Sequence, residues 1–173
     1  MTIEIEIVPC LSDNYAYLVK SGAQCAVVDP SEAGSVKAAL ARKGWSLTHI
    51  LNTHHHLDHT GGNLELKRET GARVVGPGKE AARIPGLDIG VDEDSGWEFD
   101  GRKVAVLEVP AHTRGAITFV IDGNAFTGDT LFTLGCGRLF EGDAATMWAS
   151  LSKPMTLPDD TKIWCGHEYT QGN

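Results

Sequence analysis

The run Thr53-His54-His55-His56-Leu57-Asp58-His59 limits what this chain can fold into more than any other stretch. It follows residues Thr48 to Asn52, which read as a strand, and it enters what reads as a helix. Imidazoles and a carboxylate crowded at a strand-to-helix junction point to metal chemistry. In extended chain, residues two apart point the same way, so His54 and His56 can aim at one ion while His55 aims elsewhere. Asp58 and His59, where the chain turns into the helix, are placed to serve a second ion close by. The Gly61-Gly62 pair lets backbone approach without Cβ atoms in the way. An internal run that contains Asp and is framed by an apolar strand does not suit a purification tag.

The rest of the chain supplies a frame for that run. Thr2 to Val8 alternates, with Ile3, Ile5 and Ile7 opposite Glu4 and Glu6, as a half-buried strand near a sheet edge does. Turn residues at Ser12-Asp13-Asn14 and Ser21-Gly22 separate two more strands, Tyr15 to Lys20 and Ala26 to Asp29, so the chain opens with antiparallel strands. Pro30-Ser31-Glu32 opens a helix with Val36, Ala39 and Leu40 on its apolar face and Gly44 as its stop. A helix follows from about Gly62 to Glu69, then a strand from Arg73 to Gly76. Residues 77 to 102 lack clear periodicity and read as loops with room for a short helix or strand. Strands are expected at Lys103 to Val109, Ala116 to Ile121 and Ala125 to Thr127, the last two as a hairpin about Asp122-Gly123. Asp143 is placed to cap a helix through Lys153, and Thr161 to Cys165 is a final strand.

Length and composition narrow the function classes. A chain of 173 residues is one domain able to bury about 70% of its unfolded surface, so it needs neither disulfides nor metal merely to fold. Its formal charge of -8 disfavours a nucleic-acid partner, which calls for a basic face. No apolar run reaches the ~20 residues of a membrane helix, and MTIEIEIVPC lacks the regions of a signal peptide. Cys10, Cys25, Cys136 and Cys165 show no paired spacing and read as free thiols, which places the protein in the cytoplasm.

Beyond the central run, His112, Asp129 and His167 also sit just after expected strands. With His54, His56, Asp58 and His59 they make seven N/O donors, enough for two ions with three or four ligands each. Asp129, with two carboxylate oxygens, is the natural bridge. His49 and His55 are left over and read as non-ligands.

Together these motifs resemble the metallo-β-lactamase superfamily and, within it, the hydroxyacylglutathione hydrolases, also called glyoxalase II. THHHLDH, HT at 112–113, GD at 128–129 and GH at 166–167 carry the broad resemblance. DNY at 13–15, FTGDTLF, GCGRLFEG at 135–142 and GHEYT at 166–170 carry the narrower one. It covers essentially the whole chain and implies an α/β fold, a four-layer αβ/βα sandwich with metals at one edge of two sheets. It also implies a first metal on His54, His56 and His112, a second on Asp58, His59 and His167, and Asp129 between them. Two divalent ions are implied, zinc with iron or manganese as substitutes. Arg138, Phe140 and Tyr169 match positions at the family's glutathione groove, where Phe140 is often Tyr. Ala111 stands where the family usually has Gly, and Ala116 where it usually has a second His.

The implied activity is hydrolysis of a glutathione thioester such as S-lactoylglutathione. Paired ions share a water and lower its pKa towards ~7, with Asp58 orienting the resulting hydroxide and Asp129 holding both ions. A thiol of pKa near ~8.5 leaves without a dedicated acid. Family members continue past GHEYT into a helical region that binds the glutathione carboxylates. Residues 1–173 therefore correspond to the catalytic domain without that region. Two other readings stay open: a persulfide dioxygenase of the same superfamily, which uses one iron, and a metal-binding fragment without turnover.

Overall fold

A computed structural model describes residues 2–173. The first sheet takes β1 (Glu4–Cys10), β2 (Asn14–Ser21), β3 (Gln24–Val28), β4 (His49–Leu51), β5 (Arg73–Pro77) and β6 (Leu87–Val91), side by side in that order. The opening pairs β1/β2 and β2/β3 are antiparallel, as the tight turns require, and β3 to β6 run parallel. The parallel half needs crossovers, which are α1 (Ala33–Lys43), then α2 (Leu57–Thr60) with α3 (Asn63–Thr70). The second sheet orders β13 (Lys162–Cys165), β10 (Asn124–Gly128), β9 (Ile117–Ile121), β8 (Arg102–Glu108) and β7 (Trp97–Phe99). A two-stranded ribbon, β11 (Leu131–Phe132) with β12 (Gly135–Cys136), and α4 (Ala144–Ser152) lie between β10 and β13 in sequence.

Strand alternation makes two cores from one sheet. On β2, Ala16 and Leu18 face the helices while Tyr17 and Val19 face the second sheet. The helix-side core joins Val36, Ala39 and Leu40 of α1 and Leu66 of α3 to Val27, Ile50 and Val74. The inter-sheet core joins Val28, Leu51 and Val75 to Phe99, Val106, Phe119 and Phe126. Full burial of a side chain of this size contributes about 1.5–3 kcal/mol, so these two layers fix how the sheets stack. Helix, sheet, sheet and helix make the four layers of the expected α/β sandwich, with α4 tied on through the Ser150 hydroxyl, which donates to Pro110 O at 2.5 Å.

Several local expectations hold. Gly44 ends α1 in the left-handed conformation at φ 66°, and the Asp143 side chain accepts from Thr146 N at 2.8 Å to cap α4. Asp122-Gly123, at φ 46° and 71°, turns β9 into β10 as a hairpin.

The structure adds detail to three expectations. β1 runs to Cys10 and packs on both faces: Ile3 and Ile5 lie against the inter-sheet core, although Ile7 is 47% exposed, and the face that begins with the glutamates buries Val8 and Cys10. Glu4 and Glu6 on that face meet Lys43 and Arg42 at the end of α1. Residues 77–102 are not simply loops. They hold a 3-10 turn at Gly78–Glu80 and the edge strands β6 and β7, whose half-exposed positions weaken any apolar period. Gly61 and Gly62 allow the close backbone approach expected of them: a Cβ would fall 2.4 Å from Ser31 O at Gly61 and 3.0 Å from Pro30 O at Gly62.

Candidate metal centre

The first of the four ligand-bearing segments leaves β4, and the other three follow β8, β10 and β13, so their side chains meet where both sheets end. The open cleft there has a volume of about 580 Å³ and is lined by His56, Asp58, His112, Asp129, Arg138 and Tyr169, among others. Two groups of donor atoms form within it. His54, His56 and His112 present nitrogens all within 4.8 Å of one another, and so do the ligand atoms of Asp58, His59 and His167. Asp129 lies between the groups, with Oδ2 3.3 Å from both His112 Nε2 and His167 Nε2, and Oδ1 3.3 Å from His59 Nε2. All seven residues singled out in the sequence come together.

Which nitrogen each imidazole offers follows from what holds the other. His59 Nδ1 donates to Asp29 Oδ2 at 3.0 Å, His112 Nδ1 to Arg138 O at 2.8 Å and His167 Nδ1 to Asp13 Oδ1 at 2.9 Å. Carboxylate and carbonyl oxygens only accept, so each Nδ1 carries a hydrogen and each Nε2 is the nitrogen turned to the centre, free to give a lone pair to a cation when it carries no proton. His54 Nδ1 stands 3.0 Å from Thr53 Oγ1, whose own hydrogen goes to Asp29 Oδ2 at 2.6 Å. His56 is reversed and presents Nδ1, 3.1 Å from His112 Nε2. Asp29 is also close enough to His54 and His59 to form a third donor group. Its oxygens already accept from Thr53 N, Thr53 Oγ1 and His59 Nδ1, so it supports ligands rather than acting as one.

Charge and burial make this set fit cations. His54 Nε2 is buried with no hydrogen-bond partner, a state that native interiors rarely tolerate, and buried Asp129 Oδ1 has only the 3.3 Å contact with His59 Nε2. Burial holds the imidazoles of His54, His56 and His112 below their ordinary pKa, leaving them neutral and able to donate a lone pair. In the other group, burial opposes protonation of His59 and His167, yet Asp129, with Asp29 and Asp58 respectively, outweighs it. The His59 pKa is thus raised well above its ordinary value and that of His167 to about 10. Hydrogen bonding to His167 first of all keeps Asp58 far below the usual carboxylate range. For Asp129 burial acts upward, but His167 and His59 override it and hold it far below. The second group therefore demands positive charge, which a cation supplies as well as protons do.

The groove residues ring the cleft. Phe140, 62% exposed, packs edge-on to His56 and His112, and Tyr169 stacks on His167 with ring centroids 4.7 Å apart. Arg138 lines the cleft with its side chain while its carbonyl holds His112. Glycines give the loops their reach: a Cβ at Gly166 would fall 2.7 Å from His59 Cε1, and one at Gly137 2.9 Å from His112 Nδ1. His49 packs edge-on to Trp97 and Phe99, away from the cleft.

Sequence reasoning missed the residues that orient the ligands. Asp29 directly follows the apolar end of β3, Ala26-Val27-Val28, where a buried charged residue needs a reason. Asp13 and Asn14 read as turn chemistry and as part of the DNY motif, but with no role attached; Asn14 Nδ2 donates to Asp58 Oδ2 at 3.1 Å while Asp13 holds His167. Ala111 adopts φ 136°, a region that favours glycine and accounts for the glycine usual at this position.

A model of the metallo-beta-lactamase superfamily matches residues 11–167. The hydroxyacylglutathione hydrolase of Methylococcus capsulatus is 51% identical over 176 aligned residues, covering 99% of this chain and 68% of that protein. Among solved structures, ETHE1 from Myxococcus xanthus superposes with a TM-score of 0.84 at 30% identity, over 98% of this chain and 76% of that one. TTHA1623 in a di-iron-bound form superposes with a TM-score of 0.77 at 27% identity, over 93% and 90% of the two chains.

Proposed function

The chain belongs to the metallo-β-lactamase superfamily, and from that premise we propose that it hydrolyses glutathione thioesters, S-lactoylglutathione first among them, with two divalent metal ions. The observation that carries the reading is the pair of separate donor groups with Asp129 between them, open to one cleft. Similarity at 51% identity to a hydroxyacylglutathione hydrolase supports the substrate class. Two groups of donors favour two ions over the single iron of the dioxygenase reading. His54, His56 and His112 would hold one ion, Asp58, His59 and His167 the other, and Asp129 both. A donor set of imidazole and carboxylate, without thiolate, suits zinc and also iron or manganese.

Bound divalent ions at such a site acidify water and polarise a carbonyl. The chain's own residues do the rest. Asp58, whose side chain is 41% exposed, faces the cleft with its carboxylate steadied by the Asn14 amide and its pKa far below neutrality. It is a hydrogen-bond acceptor placed to orient a water in the cleft. Arg138 offers a guanidinium to a substrate carboxylate, and Phe140 and Tyr169 form apolar walls for the thioester stem. The departing sulfur needs no acid, because a thiol of pKa ~8.5 leaves as thiolate near neutral pH. Residues 1–173 form the catalytic unit in this reading. Four free thiols suit a reducing cytoplasm, and no helix among the described residues is long and apolar enough to cross a membrane.

The test is hydrolysis of S-lactoylglutathione by the purified chain, with bound metal counted in the same sample. Turnover that falls on chelation and returns with Zn²⁺ is expected. Protein holding two ions per chain that leaves the thioester intact would refute the substrate assignment.

A further inference from the structure

Glu80 ends the 3-10 turn Gly78–Glu80, and its carboxylate is buried, with the side chain 1% exposed. A carboxylate in that position must be met by donors. Its two oxygens serve two different ligand-bearing loops: Oε2 accepts from His55 Nδ1 at 2.8 Å and Oε1 from Gly115 N at 2.9 Å. The His55 ring so fixed packs edge-on to His56, with centroids 4.8 Å apart. Gly115 belongs to the loop that carries His112, and His56 and His112 face each other at 3.1 Å. Glu80, His55, His56, His112 and Gly115 thus close a ring of contacts around one side of the first donor group. The fit at Gly115 is tight, since a Cβ there would lie 2.6 Å from Glu80 Cγ.

We propose that Glu80 is a positioning residue of the first metal site: by bridging His55 and Gly115 it holds the His56 and His112 nitrogens at the spacing one ion requires. The inference rests on the two-metal reading and extends it to a residue that lines no part of the cleft. It also gives His55, a non-ligand, a task in the central run.

The experiment loads wild-type protein, Glu80→Gln and His55→Ala with Zn²⁺, dialyses each against graded chelator and counts retained metal, with a thermal melt of every sample. Partners of metal ligands typically alter affinity 10- to 100-fold. One of the two ions should therefore leave both variants at a chelator concentration about 10-fold lower than in wild type, while the other leaves at the wild-type concentration. In a His54→Ala background, where the first site is already broken, Glu80→Gln should not change retention of the remaining ion. Should Glu80→Gln not fold, His55→Ala, altered on the less buried side of the pair, decides alone. Wild-type retention in the folded variants, or parallel loss of both ions with a lowered melting temperature, would overturn the role of Glu80. A wild-type chain that keeps no metal would instead refute the two-metal reading itself.

Discussion

Asp29 Oδ2 lies 3.0 Å from His59 Nδ1, with both side chains at most 3% exposed, and the same carboxylate accepts from the Thr53 backbone and hydroxyl. One buried group therefore orients an expected ligand and anchors the start of the histidine run. Asp29→Ala strands those donors without acceptors, at about 1–3 kcal/mol for each buried group left unsatisfied. Denaturant unfolding should show a loss of at least ~2 kcal/mol, together with lowered metal content. Unchanged stability would mean that water or a neighbour replaces the carboxylate.

Asp129 stands between the donor groups, whereas the Asp13 carboxylate meets just one candidate ligand, His167. Asp129→Ala should reduce metal content at both sites and abolish thioester hydrolysis. Asp13→Ala should weaken one ion by about 10- to 100-fold and leave the other in place. Elemental analysis of the two variants at matched chelator concentrations separates these outcomes. Identical losses would show that Asp129 serves only one group.

Ala111 is fully buried at φ 136°, and non-glycine residues held in such regions store ~1–3 kcal/mol of strain. Glycine gives back part of that through its greater freedom when unfolded. Ala111→Gly should stabilise the protein by about 1 kcal/mol, read as a raised denaturation midpoint at unchanged slope. A lowered midpoint would show that the alanine methyl contributes more by packing than its backbone loses.

Glu141 joins the 135–142 loop to two other segments. Its carboxylate accepts from both terminal nitrogens of Arg83 and from Arg114 N. The Arg83 hydrogen bond, foremost, lowers its pKa from the ordinary 4.5 to about 2. A depressed carboxyl stabilises the fold fully above its unfolded pKa and loses that contribution as pH falls through the folded value. The contribution of Glu141 is therefore complete above pH 4.5 and disappears as acid approaches pH 2. Glu141→Gln should flatten the acid limb of a stability curve in that window, and an unaltered limb would show that the pair is dispensable.

The seven candidate ligands were readable because histidines and aspartates recur just after expected strands. Any one of them alone would be unremarkable, and it is their shared placement that singled them out. The supporting groups lacked that contrast: Asp13 and Asn14 stood out as part of a motif, but what they hold could not be read because their partners lie far along the chain. The sheet order was partly readable, since tight turns set the antiparallel start. Edge strands escaped because one exposed side dilutes their period. Asp100-Gly101, at φ 52° and 74°, makes the same kind of turn as Asp122-Gly123 and joins β7 to β8. Only the second was taken as a hairpin, because Trp97–Phe99 is too short to alternate visibly.

The contact between Asp13 and His167 spans 154 positions. Tyr15 N donates to Gly166 O and Glu168 N to Asp13 O in the same place, so the opening hairpin and the closing strand are stitched together there. Closing so long a loop is entropically unfavourable until the contact forms. The hairpin pairs locally, whereas His167 reaches its station only when the strands between have assembled. An ion at Asp58, His59 and His167 would then act as a clasp fastened last. Refolding with and without Zn²⁺ should differ in its slowest phase rather than its fastest.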